Sequence, residues 1–318
     1  MQRADTASAI TAGKPADREG VSASMIATTA GCWSTFLDFL VQRFPAISPL
    51  QWRGRIDHGD VVDEHGATIH FDTAYRPNAK LFYYRYVADE PRIPFEETVL
   101  FQDELIVVAD KPHFLPVTPA GRYVQQTLLV RLKQKLGIDT LAPMHRIDRD
   151  TAGLVLFTVQ PHTRDAYQKL FRERRVEKTY EAVAPYLRDL RLPMTYRSRL
   201  VESRAFMQMQ ERPGEVNAET RISLIEVDGS LARYRLQPAS GQKHQLRAHL
   251  AALGAPILND RIYPVLMASD SAEPDYRQPL QLLAKSIAFT DPITGQPRRF
   301  ESARSLAAWP ATGVADSL

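Results

Sequence analysis

Only one cysteine stands in the 318 residues, Cys32. A single thiol forms no disulfide within the chain and no cysteine-based metal site, which agrees with a reducing compartment. Long apolar runs are missing as well. No stretch approaches the ~18 uninterrupted apolar residues of a membrane helix, and the first 30 residues lack the apolar core of a secretory leader. A cytoplasmic protein with no membrane contact is expected. There is no zinc-type spacing, no glycine-rich nucleotide loop and no internal repeat, so neither a metal nor a cofactor is expected. Acidic residues are absent from Gly229 to Asn259, where Arg233, Arg235, Lys243 and Arg247 stand. From Arg164 to Arg204 eleven Lys or Arg face six Asp or Glu. The net charge of +3 argues for nothing by itself. Two local basic excesses suit a phosphate-lined partner, although a pair of solvated faces would read the same way.

What is present is ordinary globular composition, 44% hydrophobic and 24% charged, with room for one large domain and one small one. Residues 1–30, rich in Ala, Thr, Ser and Gly without periodicity, read as a disordered tail. Phe36, Leu37, Leu40, Val41 and Phe44 recur at helical spacing after Ser34, and Ser48-Pro49 opens a second helix carrying Trp52, Arg53 and Arg55. Val61-Val62 and Ala67 to Ile69 flank a turn, as in a hairpin. A small domain over 31–90 is expected, then a Pro-containing linker, a main domain over 97–303 and a C-terminal tail over 304–318. In the main domain the spacing predicts a buried strand at Leu105 to Ala109 and amphipathic helices over Tyr123 to Leu136 and Thr163 to Arg175. Val176 to Val183 alternates as a strand that puts Lys178 and Tyr180 on one face. Leu246, Leu250 and Leu253 mark a helix closed by Gly254, with Arg247 at its shoulder, and Leu283 to Phe300 reads as a hairpin.

The chain is organised around His145 to Thr158, HRIDRDTAGLVLFT. Leu154 to Phe157 is a core strand, and a rigid strand thus presents the charged residues His145, Arg146, Asp148, Arg149 and Asp150. In an extended loop Arg146 and Asp148 point the same way, and a guanidinium beside a carboxylate favours its ionised form, which suits a nucleophile or base. A bare HRxD is more often a capping or turn element. The His-Arg-Asp of kinases is excluded, because Ile147 intervenes and no Gly-rich loop or Asp-Phe-Gly accompanies it.

This stretch resembles the signature of the RluA-type RNA pseudouridine synthases, His-Arg-Leu-Asp, two variable residues, Thr-Ser-Gly and an apolar run, with Ile147 and Ala152 as departures. Other motifs follow in the family's order: Asp110-Lys111-Pro112, the Lys178-Thr179-Tyr180 strand, and SGQKHQLR from Ser240 to Arg247. The two helices and hairpin of 31–90 resemble a small RNA-binding domain shared by a ribosomal protein and many such enzymes. The resemblance implies an α+β chain: a mixed, mainly antiparallel sheet flanked by helices, with a small N-terminal α/β RNA-binding-like domain. It implies Asp148 as the catalytic residue, Arg247 pairing with it, Tyr180 stacking on uracil and taking the proton from carbon 5, and Arg146 filling the space of the flipped base. His145, Lys178, Lys243, His244, Gln245, Arg53 and Arg55 are the further candidate RNA contacts. The implied partner is a stem-loop of large-subunit rRNA or tRNA, handled by a monomer with no obligate protein partner. Two other readings remain. One is a non-catalytic RNA-binding or ribosome assembly protein that keeps the fold. The other is a carboxylate-dependent nucleoside or glycoside hydrolase, which would need a second carboxylate such as Asp150 set apart across a sugar.

Overall fold

A computed structural model describes residues 15–87, 89–203, 208–267 and 275–309. The outer parts of the two expected tails, 1–14 and 310–318, lie outside the described residues. The chain divides into two compact units, the first formed by 1–91, 119–125 and 130–139, the second by 92–118, 126–129 and 140–318.

In the first unit β1 (Ser24–Ala27) is followed by α1 (Phe36–Arg43) and α2 (Pro49–Asp57). The cap of α1 is Thr35 rather than Ser34: its side chain accepts from the Asp38 amide while the Asp38 carboxylate accepts from the Thr35 amide. Ser48 and Gln51 close α2 in the same way. The apolar faces of both helices, through Phe36, Leu40, Trp52 and Ile56, pack with Val61 of β2 (Val61–Asp63) and Leu81 of β3 (Lys80–Tyr83). The strand order is β1-β3-β2, antiparallel throughout. Strand β1 corrects the expected 1–30 tail. Val21, Ala23 and Thr28 are buried, and the backbone of 24–27 finds in β3 the partner that a short segment cannot supply for itself. The expected hairpin is only partial. Val62 bridges Thr68, but Asp63 turns its carboxylate onto the amides of His65 and Ala67, and the main partner of β2 is β3. Helix α3 (Leu128–Leu136) starts five residues after the predicted Tyr123, because the Glu90 carboxylate takes the amides of Val124 and Gln125 and Tyr123 pairs with Ala120. Residues 130–136 of it group with the first unit, not with the main domain.

The second unit holds β4 (Thr98–Gln102), β5 (Ile106–Lys111), the two-residue β6 (Ala142–Pro143), β7 (Ala152–Thr158), α4 (Arg164–Arg172) and β8 (Glu177–Pro185). Then come β9 (Met194–Ser198), β10 (Leu200–Glu202), β11 (Met209–Glu211), β12 (Ala218–Asp228), β13 (Leu231–Pro238), α5 (Gln245–Ala252), β14 (Leu282–Thr290) and β15 (Pro297–Glu301). Ten strands form one sheet, ordered β4-β5-β7-β14-β8-β13-β12-β9, with β15 on β14 and β6 on β7; β10 and β11 pair separately. All its pairings are antiparallel except β7 with β14. This is the α+β fold with a mixed, mainly antiparallel sheet. Strands β5 and β7 are buried along their whole length, which is why both read as continuous apolar runs rather than as alternation.

Strand β14 touches β7 only at Leu283 and Ala284 before it turns to β15. At that junction Gly153 adopts φ +108, and a Cβ on it would lie 2.3 Å from the Ala284 carbonyl oxygen. The glycine of the central stretch is therefore a point where two backbones nearly touch. The expected tail from 304 is corrected as far as 309: Leu306 and Trp309 are buried with Ala152, Val183 and Leu283, and the Trp309 indole donates to Glu226. Among the described residues no helix is long and apolar enough to cross a membrane.

Candidate active site

The loop 145–150 enters β7, and two of its charges are spent on each other. Arg149 turns back on Asp150, Nε to Oδ1 at 2.8 Å. His145 stacks on Phe171 with ring centres 4.7 Å apart, and its Nε2 accepts the Leu156 amide at 3.2 Å. Burial, aided by the Lys178 charge, pushes its pKa down to about 3, so the ring is a neutral brace. Arg146 is exposed and makes no ion pair among the described residues, so the expected Arg146–Asp148 pairing does not form. The loop's carbonyls are held from the end of β5 and the turn that follows it. Buried Lys111 donates to the Arg149 and Pro112 oxygens, each at 2.9 Å, and His113 Nδ1 donates to the Asp150 oxygen at 2.7 Å. Burial lowers the Lys111 pKa to about 7 against the pull of Asp150 and Asp148, and lowers that of His113 to about 4.

Asp148 is left to face α5. Arg247, 2% exposed, gives Nη1 to Asp148 Oδ2 at 3.0 Å and its other edge to Asp260, Nε to Oδ2 at 2.8 Å and Nη2 to Oδ1 at 2.7 Å. Asp260 Oδ1 also accepts the amides of Ile262 and Tyr263. Burial alone would lower the Arg247 pKa, but the hydrogen bonds and charge of Asp260, and then Asp148, raise it. A planar fork gripped on one edge points its remaining nitrogen in one direction, which a lysine ammonium cannot do. His244 caps α5 in the left-handed region at φ +53, with Nε2 3.8 Å from Asp148 Oδ1.

Tyr180 lies on β8 between Leu236 of β13 and Ala284 of β14, half-buried against the core. Burial and then the Asp148 charge raise its phenol pKa, so it stays protonated at neutral pH. Two residues away on the same face, Lys178 donates to the Ser240 oxygen at 3.1 Å, and burial, with help from the Arg174 charge, lowers its pKa to about 8. Among the described residues no group of three or more His, Cys, Asp or Glu is arranged to hold a metal.

A family model described as RNA pseudouridylate synthase matches residues 105–252. The mitochondrial tRNA pseudouridine(32) synthase of Saccharomyces cerevisiae is 32% identical over 233 residues, 71% of this chain but 50% of that protein, so the chain spans half of its length. The dual-specificity RNA pseudouridine synthase RluA of Yersinia pestis is 30% identical over 210 residues, 64% of this chain and 97% of that protein. The chain belongs to the RluA-type RNA pseudouridine synthases. A solved human structure, RNA pseudouridylate synthase domain containing 1, covers 68% of the chain and 86% of its own length at a TM-score of 0.54 and 17% identity, which shows the shared fold.

Among the candidate residues, Asp148, Arg247 and His244 are brought together, Tyr180 is close enough to feel the Asp148 charge, and Lys178 lies beside it. Gln245 is turned away. Its amide nitrogen donates to the Glu219 oxygen and Thr220 Oγ1, and its oxygen accepts from Ser240 Oγ and the Gln242 amide. With four bonds made inside the fold it has none left for RNA, and His145, braced in the core, is equally a scaffold residue. Lys243 is exposed, 3.8 Å from Glu202. Arg53, over Phe71, and Arg55, over Trp52 with its pKa lowered by burial, belong to the first unit. Sequence reasoning missed Lys111 and Asp260 as site residues. The signal was available for Asp260: a buried arginine needs a carboxylate, and Asp260 is the nearest acid downstream of the α5 stripe.

Proposed function

We propose that this chain converts uridine in structured RNA to pseudouridine, with Asp148 as the catalytic carboxylate. The observation that carries the reading is the fork of Arg247, anchored by Asp260, holding Asp148 Oδ2 at 3.0 Å in a chain of this family. The reaction breaks the bond from ribose C1′ to uracil N1 and forms one from C1′ to C5; C5 gives up its proton and N1 ends protonated. Atoms balance without oxidant, reductant or external energy. A target base inside a stack is out of reach, so it must flip out, at a cost of a few kcal/mol that is least in a loop. Asp148 attacks the nucleotide or removes a sugar proton. Tyr180 offers uracil an aromatic face, and its protonated phenol takes the C5 proton only while passing its own onward. Exposed Arg146 fills the space of the flipped base, and Lys178 and Lys243 hold phosphates.

A non-catalytic RNA-binding role is the weaker reading, because a buried arginine anchored on Asp260 and aimed at one oxygen of the partly exposed Asp148 serves chemistry better than it serves binding. The relative named for tRNA position 32 favours a tRNA stem-loop as first substrate, with an rRNA loop as the second. We place the enzyme in the cytoplasm as a monomer, which size-exclusion chromatography with light scattering checks. The test of function is pseudouridine mapping across total RNA from cells with and without the gene. Loss of discrete tRNA or rRNA sites that return on complementation is expected, and an unchanged map contradicts the proposal.

A further inference from the structure

Among the described residues, one of the two carboxylate oxygens of Asp148 accepts a hydrogen bond: Oδ2, from Arg247. Oδ1 faces His244 Nε2 at 3.8 Å. On the other side of that ring, Nδ1 lies 3.4 Å from the Tyr263 hydroxyl, whose oxygen already accepts the Met209 amide at 2.7 Å. A phenol has a single proton. With its oxygen occupied by the amide, Tyr263 is free to give that proton to Nδ1, and burial keeps the phenol protonated. The phenol oxygen keeps a second lone pair, so what selects the tautomer is the other edge of the ring: with Nδ1 accepting from Tyr263, a neutral ring turns its proton on Nε2, and not a lone pair, towards the Asp148 carboxylate. The ring is neutral because burial lowers its pKa; Arg247 and Lys243 act in the same direction, and Asp148 and Asp260 only partly oppose them. The backbone points the same way. His244 stands at φ +53 with its side chain 8% exposed, a left-handed position that strains a residue other than glycine and that asparagine would fill at less cost. Strain of this kind is kept where the side chain has work to do.

We propose that His244 is a positioning residue for the isomerisation: Nε2–H closes onto Asp148 Oδ1 when RNA enters and, with Arg247 on Oδ2, fixes the carboxylate in one orientation. This rests on the function proposed above. It replaces the expected role of His244 as an RNA contact, since a buried neutral imidazole offers a phosphate no charge. The gap between Nε2 and Oδ1 has to shorten by about 1 Å to reach hydrogen-bond distance, and catalytic hydrogen bonds commonly tighten in this way on substrate binding.

The experiment is single-turnover pseudouridine formation on an RNA stem-loop at saturating enzyme, with RNA affinity measured separately, for wild type, His244→Asn and His244→Gln. Asparagine accepts the left-handed backbone but is too short to reach Asp148, whereas glutamine replaces the Nε2–H donor at similar reach. The expected result for His244→Asn is an RNA Kd within about twofold of wild type and a rate lower by ~10²-fold, the scale of a misplaced reacting group. His244→Gln is expected to recover at least about tenfold of that loss. A His244→Asn chain with a normal saturated rate and weakened RNA binding overturns the proposal and restores the RNA-contact role. Equal slowing of both variants overturns it too, since the donor would then not be what matters. A wild-type chain that makes no pseudouridine on any RNA overturns the proposed function, and this inference with it.

Discussion

The loop 145–150 and the first turns of α5 meet at Asp148, and they arrive there with different degrees of constraint. In the loop, Arg149 is taken up by Asp150 and His145 by the Leu156 amide, so Asp148 comes forward on a short turn with its backbone held by Lys111 and His113. On α5 the helix is buried on every side from Gln245 to Leu250. Gln245 and His249 bind Thr220, His249 also meets Ser198, and Arg247 is gripped by Asp260. The direction of the Arg247 fork is therefore set from behind, without reference to Asp148. A carboxylate on a loop takes its orientation from the more rigid element opposite, and that element is where substitution should do most harm.

The strongest way to break this contrast is Arg247→Met. The Asp260 side chain, fully buried, would be left without its bidentate partner. A loss of ~3–5 kcal/mol in urea unfolding is expected, together with loss of turnover. Stability close to wild type would mean that Asp148, not Asp260, is the main partner. Tyr180→Phe comes next. It keeps the stacking face, worth ~1–3 kcal/mol for a base on an aromatic ring, and removes the hydroxyl. RNA affinity should hold while single-turnover tritium release from C5-labelled RNA slows by ~10²- to 10⁴-fold; near-normal release would make Tyr180 a stacking residue only.

Gln245→Leu sharpens the comparison on the α5 side. It orphans several partners at once and should cost ~1–3 kcal/mol of stability, with the rate per folded molecule little changed. A large fall in RNA affinity instead would return Gln245 to the RNA interface. The smallest effect belongs to the loop side. His145 has its pKa lowered from 6.5 to about 3, so between these values the unfolded chain holds the extra proton and folding stability falls as pH falls. Over the first pH unit below 6.5 the loss is up to about 1 kcal/mol. His145→Gln, which can still accept the Leu156 amide, should flatten this part of the acid-unfolding profile; an unchanged slope would show that other groups cause it.

Strand β7, the α4 and α5 helices and the β14–β15 hairpin were legible in the sequence because each carries its own signal: a doubly buried run, a 3.6-residue stripe, a turn marked by Pro292, Thr294 and Gly295. The strands β9 to β13 were not. There one face packs on the core and the other bears Arg221, Arg233 and Arg235, and the β12 bulge between Leu224 and Glu226 breaks the alternation that would reveal it. At the site, family resemblance named Asp148, Tyr180 and Arg247, but residue type could not give direction. His145 and His244 look alike in sequence; one is stacked on Phe171 and the other faces a carboxylate. Strand β1 stayed hidden because its partner β3 lies more than 50 residues later.

Asp148→Asn is the decisive variant, assayed for pseudouridine by nucleoside analysis after a long incubation with a tRNA stem-loop and, in parallel, for RNA binding and thermal unfolding. Asparagine can still accept from Arg247 and leaves the Arg247–Asp260 pair untouched. The variant should therefore melt like wild type, bind RNA with similar affinity and form no pseudouridine. Measurable product from that variant would contradict the assignment of Asp148 as the catalytic carboxylate.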